Sequence, residues 1–151
     1  MFAQLRIVFP PDLNIGEYLL TNADNPPNRK TGVAIVHSTI HSNEHSSVYR
    51  ASIGYRVYVL KLSVHNKPWL RVNDPSLPDL ETEANNYRTK LCDLQGTVTP
   101  SFYGLFKGED KEDHGIGCIV LEDCGDSIDK NFYELDRPAK CVPLCLRFVA
   151  K

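Results

Sequence analysis

The stretch "YRVYVLKLSV", residues 55–64, alternates apolar and polar positions in a chain segment rich in valine and tyrosine, the pattern of a β-strand. A side-chain period of two puts Val57, Val59 and Lys61 on one face and Tyr58, Leu60, Leu62 and Val64 on the other. Lys61 therefore shares a face with valines. A lysine so placed needs a counter-charge or a route to solvent.

Working outward, "VAIV" (33–36) and "SVYRASI" (47–53) also read as strands, with a tight turn at Gly54, so residues 33–64 form a three-stranded antiparallel meander. The proline-bearing run "HNKPWLRVNDPSLP" (65–78) is a loop. The period then changes: Leu80, Ala84, Tyr87, Leu91 and Leu94 make an amphipathic stripe over 79–96, with Asp79 as a cap and Gly96 as a stop. Glu83 lies on or beside this inward stripe, and Glu81 on the solvent side. "TPSFYGLF" (99–106) and "GIGCIVLE" (115–122), joined by the charged "KGEDKEDH", read as a β-hairpin. The expected fold is α+β: a five-stranded antiparallel sheet with one long helix packed on it.

Seventeen basic and nineteen acidic side chains leave a charge of −2, which gives no electrostatic footprint for nucleic acid or an anionic membrane. The opening "MFAQLRIVFPPDL" is interrupted by Arg6 and ended by Pro10 and Pro11, so it reads as neither a signal peptide nor a spanning helix, and the expected location is cytoplasmic. Its residues 1–20 are expected to pack as an accessory strand or flap. The five cysteines show no CxxC pair or disulfide spacing and read as reduced thiols. The chain divides into an N-terminal segment and loop (1–32), a lobe (33–125) and a partly helical tail (126–151).

A strand lysine in "VYVLK" (57–61), a glutamate on the inner face of the following helix and a hairpin ending in "IVLEDCG" (119–125) together resemble the small lobe of the protein-kinase-like fold. The run "LETEANNYRTKLCDLQGTVTPSFYGLF" (80–106) is similar to fungal protein-kinase-like and aminoglycoside-phosphotransferase-like proteins. The resemblance implies that Lys61 holds nucleotide phosphates and is held by Glu83. It implies further that Val48 and Val59 roof an adenine, that Leu121 lines the back of its pocket, and that the backbone from Glu122 to Cys124 reads its edge. Asn43 and Ser46, with His41, would occupy the phosphate-loop positions, where this sequence has no glycine. Taken without the resemblance, Lys61 could snorkel at a sheet edge and Glu83 could be a solvated flank.

No H-R-D-like loop, metal-binding Asn or D-F-G-like Asp follows Gly125, so Mg2+ ligands are absent and ATP binding is expected to be weak. The expectation is a truncated or divergent kinase-like small lobe that binds a protein partner, or itself, through the face a large lobe would cover. An alternative is the N-terminal portion of an active ATP-dependent phosphotransferase. A second alternative is a zinc-binding interaction module using His37, His41 and His45 in "HSTIHSNEHSS" (37–47), although its Ser, Thr and Asn are mediocre helix formers.

Overall fold

A computed structural model describes residues 2–24, 30–43, 46–65 and 76–126. The elements in chain order are β1 (Gln4–Val8), β2 (Glu17–Asn22), β3 (Thr31–Ser42), β4 (Ser47–Ile53), β5 (Arg56–His65), α1 (Ser76–Arg88), β6 (Phe102–Glu109) and β7 (Gly115–Glu122). The strands close into a barrel in the order β1-β2-β6-β7-β5-β4-β3. Six of the seven neighbouring pairs are antiparallel, and β1 runs parallel to β3, with Gln4 opposite Thr31 and Val8 opposite Ile35.

This closure overturns the expected open five-stranded sheet, and with it the resemblance to a kinase-like small lobe. The meander β3-β4-β5 and the hairpin β6-β7 form as their periodicity predicts. The N-terminal residues change the architecture. β1 pairs with the edge of β3 and β2 with the edge of β6, so both edges of the five-stranded sheet are joined through a hairpin. Pairing β1 along β3, and β2 with β6 at Thr21 and Asn22, closes the two edges an open sheet leaves unpaired.

Alternation explains why β1 and β2 take this position. Leu5, Ile7 and Leu20 are fully buried inside the barrel, while Arg6 points outward and its guanidinium holds Glu17 at 2.6 Å. The β2–β6 junction is short, with Thr21 opposite Lys107 and Asn22 opposite Phe106. Asn22 reinforces it from within. It is 1% exposed, its side-chain amide donates to the Phe2 carbonyl at 3.1 Å, and its Oδ1 accepts the Asp24 N–H at 2.8 Å. A buried amide satisfied on both sides is worth keeping, because leaving either partner unpaired costs about 1–3 kcal/mol.

Two apolar clusters result. One fills the barrel: Leu5, Ile7, Leu20, Ala34, Val36, Ala51, Leu60, Leu62, Phe106, Cys118 and Val120 are among its buried members. The other lies outside the barrel wall, where Val48, Val59, Leu105, Ile119 and Leu121 meet Leu80, Ala84 and Tyr87 of α1. The helix is shorter than its stripe predicts. It ends at Arg88, and Cys92–Leu94 forms a separate 3₁₀ turn. Gln95 ties this turn to both neighbours, donating to the Tyr87 carbonyl at 2.7 Å and accepting the Phe102 N–H at 2.8 Å. Among the described residues no helix is long and apolar enough to cross a membrane. The tail from 127 onward lies outside the described residues.

Candidate functional site

The outer face of the barrel under α1 is built in rows across the strands. Val48, Lys61, Ile119 and Leu105 lie side by side in one row, and Arg50, Val59 and Leu121 in the next. Lys61 is thus the cation in a row otherwise made of Val48, Ile119 and Leu105, facing the helix. Glu83 reaches it from the second turn of α1, with Nζ and Oε2 2.5 Å apart. The pair is not sealed: the side chains are 29% and 31% exposed. A second latch, Lys107 to Glu81 at 2.6 Å, holds the same helix further round the barrel.

The opening beside Lys61 is a cleft lined by His41, Asn43, Ser46, Val48, Val59, Lys61, Glu83, Tyr87, Pro100 and Leu121. Seven of the nine residues singled out from sequence therefore stand around one cleft. Glu122 and Cys124 do not line it. The Glu122 carboxylate instead accepts the backbone N–H of Ser101 at 3.0 Å and its hydroxyl at 2.8 Å. The segment after β7 that carries Cys124 is drawn toward β4, where Arg50 pairs with Asp123 at 2.9 Å and with Asp126 at 3.0 Å.

His41, set beside Asn43 and Ser46 by the sequence, lines the cleft with them, whereas Tyr87 and Pro100 were not assigned to this site. Between Val36 and Ser38, and again between Thr39 and His41, the β3 register shifts by one residue, so His41 ends opposite Val48 on the helix-facing side. The two shifts cancel, so the alternation that turns Val36 inward still turns His41 outward. Tyr87 was legible as a core position of the helix stripe, and it does pack there, stacked on Phe102 with ring centroids 5.5 Å apart. What the stripe did not show is that one edge of the ring borders the cleft.

The turn between β3 and β4 forms the upper rim. Asn43 N–H donates to the Ser46 carbonyl at 2.9 Å, Asn43 Oδ1 accepts the Ser46 N–H at 2.8 Å, and the Ser42 and Ser47 hydroxyls meet at 2.9 Å. These bonds fix a polar rim above an apolar slot.

The zinc alternative fails on the same geometry. His37 and His41 lie on a strand that has two register shifts, not on a helix, and His45 lies outside the described residues. Among the described residues no three His, Cys, Asp or Glu side chains converge on a metal position. The reading as a truncated kinase-like lobe, or as the N-terminal portion of a phosphotransferase, falls with the open sheet it required. No protein-family model and no curated protein sequence matches the chain.

Proposed function

We propose that the barrel is a ligand-binding module whose outer cleft takes a small organic anion, a phosphate ester or carboxylate attached to a planar apolar body. The observation that carries this reading is the half-open Lys61. An ammonium group has three N–H donors. One reaches Glu83, and no other acceptor meets Nζ among the described residues. Its remaining donors face a cleft whose apolar walls include Val48, Val59 and Leu121. A charge beside low-dielectric walls attracts an anion more strongly than the same charge in open water.

The size of the cleft sets the division of labour. Its enclosed part holds about 40 Å3, room for a group of phosphate or carboxylate size, since a single water needs roughly 10–15 Å3. The apolar body of the ligand would lie along the valine and leucine slot, and the Ser46 and Asn43 side chains at the rim would meet its polar edge. Glu83 orients Lys61 and also repels a second negative charge, favouring a singly anchored anion over a polyanion.

Calorimetric titration with phenyl phosphate tests the proposal, with inorganic phosphate and phenol as the two halves of the same molecule. Saturable binding of phenyl phosphate, weaker binding of phosphate and loss of both with Lys61→Met are expected. Equal affinity for phenyl phosphate in the Lys61→Met variant, or no saturation by phenyl phosphate, would overturn it.

A further inference from the structure

A second cavity lies at one end of the barrel, where the interior opens. It is lined by Phe9, Ile15, Tyr18, Tyr49, Leu62 and Val64, with Asn43, Ser46 and Ser47 at its rim, and holds about 200 Å3. We infer that this barrel mouth is a binding site for a small neutral aromatic molecule carrying one hydrogen-bonding substituent, of which phenol is the simplest example. The site shares the rim residues Asn43 and Ser46 with the cleft at Lys61, lies on their other side, and does not depend on the function proposed for that cleft.

Three observations converge on that chemistry. First, the walls suit a ring. Phe9 meets Tyr18 and Tyr49 edge-on, at centroid distances of 5.4 and 5.2 Å, both with planes 76° apart, and such arrangements leave ring edges and faces for another aromatic group. A cavity of about 150 Å3 lined by apolar side chains is enough for benzene.

Second, two tyrosine hydroxyls at the mouth have no protein partner among the described residues. Tyr49 is only 7% exposed, yet its hydroxyl has no hydrogen-bond partner among the described residues. It is nevertheless not among the side-chain oxygens sealed from solvent, so it opens onto the mouth. The hydroxyl of Tyr18 likewise has no partner among the described residues. A ligand hydroxyl would supply one.

Third, the charge at the mouth disfavours an anion. Burial raises the Tyr18 pKa, and the negative charge of Asp110 and the neighbouring Tyr49 raise it further. Tyr18 therefore stays protonated, and the same Asp110 field repels a carboxylate ligand. The two cavities thus select opposite chemistries.

The loop from β1 to β2 holds the site in shape. The 3₁₀ turn Pro11–Leu13 is followed by Asn14 and Gly16 at φ of 51° and 85°, and Phe9 N–H closes the loop on the Gly16 carbonyl at 3.1 Å. This geometry places Ile15 against the opening.

Titration of isotope-labelled protein with phenol, followed by NMR, tests the inference. Saturable shifts of the Ile15 and Val64 methyl groups and the Tyr49 ring are expected below about 10 mM, the range of a fragment-sized ligand. Benzoate should bind more weakly than phenol. Tyr49→Phe should weaken phenol roughly tenfold, and Val64→Trp, at a half-exposed position that fills the mouth, should abolish binding while leaving phenyl phosphate at Lys61 untouched. Shifts that do not saturate, or phenol binding unchanged in Val64→Trp, would overturn it. Equal affinity for benzoate would do so as well.

Discussion

Lys61 on β5 and Glu83 on α1 are 2.5 Å apart across the seam between the barrel wall and the helix packed against it. The pair joins the second apolar cluster to the cleft, because Val48 and Ile119 flank Lys61 on the sheet and Ala84 follows Glu83 on the helix. Its partial exposure decides its energetic weight. An exposed pair contributes about 0–1 kcal/mol, and a buried one loses far more when a single partner is removed. A double-mutant cycle with Lys61→Met and Glu83→Gln should return a coupling of about 1 kcal/mol that shrinks in high salt. Anion affinity should separate the two variants: Lys61→Met loses it, whereas Glu83→Gln strengthens it by removing a competing acceptor. Weaker phenyl phosphate binding in Glu83→Gln would mean that orientation of the lysine outweighs competition.

Closure of the barrel depends on close approach at the β2–β6 junction, and Gly108 is where it is tightest. A Cβ there would stand 2.8 Å from Leu20 Cδ2 and 3.0 Å from the Leu19 carbonyl oxygen. Leu20 is fully buried and the carbonyl belongs to the backbone, so neither can move cheaply. Gly108→Ala should destabilise the protein by about 1–3 kcal/mol, the usual cost of overpacking. In urea the midpoint should fall with little change in slope, since the unfolded state exposes the same surface. An unchanged midpoint would show that β2 separates from β6 without cost.

Local elements were legible in the sequence because each is dictated by its own period. The alternation in β5 placed Lys61 on the same face as Val59, and the 4, 3 spacing of Leu80, Ala84 and Tyr87 placed Glu83 beside it. The closure was not legible, because it turns on how one charge in "LRIVF" is read. Arg6 looked like an interruption of an apolar patch. In the barrel it is the outward residue between inward Leu5 and Ile7, and its charge is met by Glu17 across the hairpin. The parallel β1–β3 pairing leaves no tight-turn signature either, since the two strands are not consecutive. The phase between the two bulges of β3 was not legible either: Ser38 stands opposite Arg50 and Thr39 opposite Tyr49, and no residue marks the shifts in the sequence.

The β6–β7 turn carries an acid-sensitive lock. Asp110 accepts the Glu112 N–H, the His114 N–H and the His114 ring Nδ1, each at 2.8 Å. Desolvation alone would raise the Asp110 pKa, but the hydrogen bonds from the backbone and ring of His114 and from Glu112 outweigh it and bring the pKa below its ordinary value of 3.8. A carboxylate whose folded pKa is depressed adds stability above its unfolded pKa and loses it as pH falls through the folded value. Wild-type protein should therefore lose thermal stability as the pH drops from about 5 to below 3.8. Asp110→Asn should flatten that part of the midpoint-against-pH curve. A curve unchanged by Asp110→Asn would assign the acid transition to other carboxylates.

The barrel interior contains a thiol that reports its integrity. Cys118 on β7 is fully buried, and desolvation pushes its pKa far above the ordinary thiol range. Only the thiolate reacts at a useful rate, so Cys118 should be inert in the native state. Cys92, exposed in the 3₁₀ turn after α1, has no such protection. With iodoacetamide at neutral pH, mass spectrometry should find Cys92 modified rapidly and Cys118 only when the barrel opens. Reaction at Cys118 then measures that opening. The seam of β2 with β6 is the short one, so Gly108→Ala should accelerate Cys118 labelling more than Lys61→Met, which disturbs only the outer face. Equal acceleration by both substitutions would place the weakest seam of the barrel elsewhere.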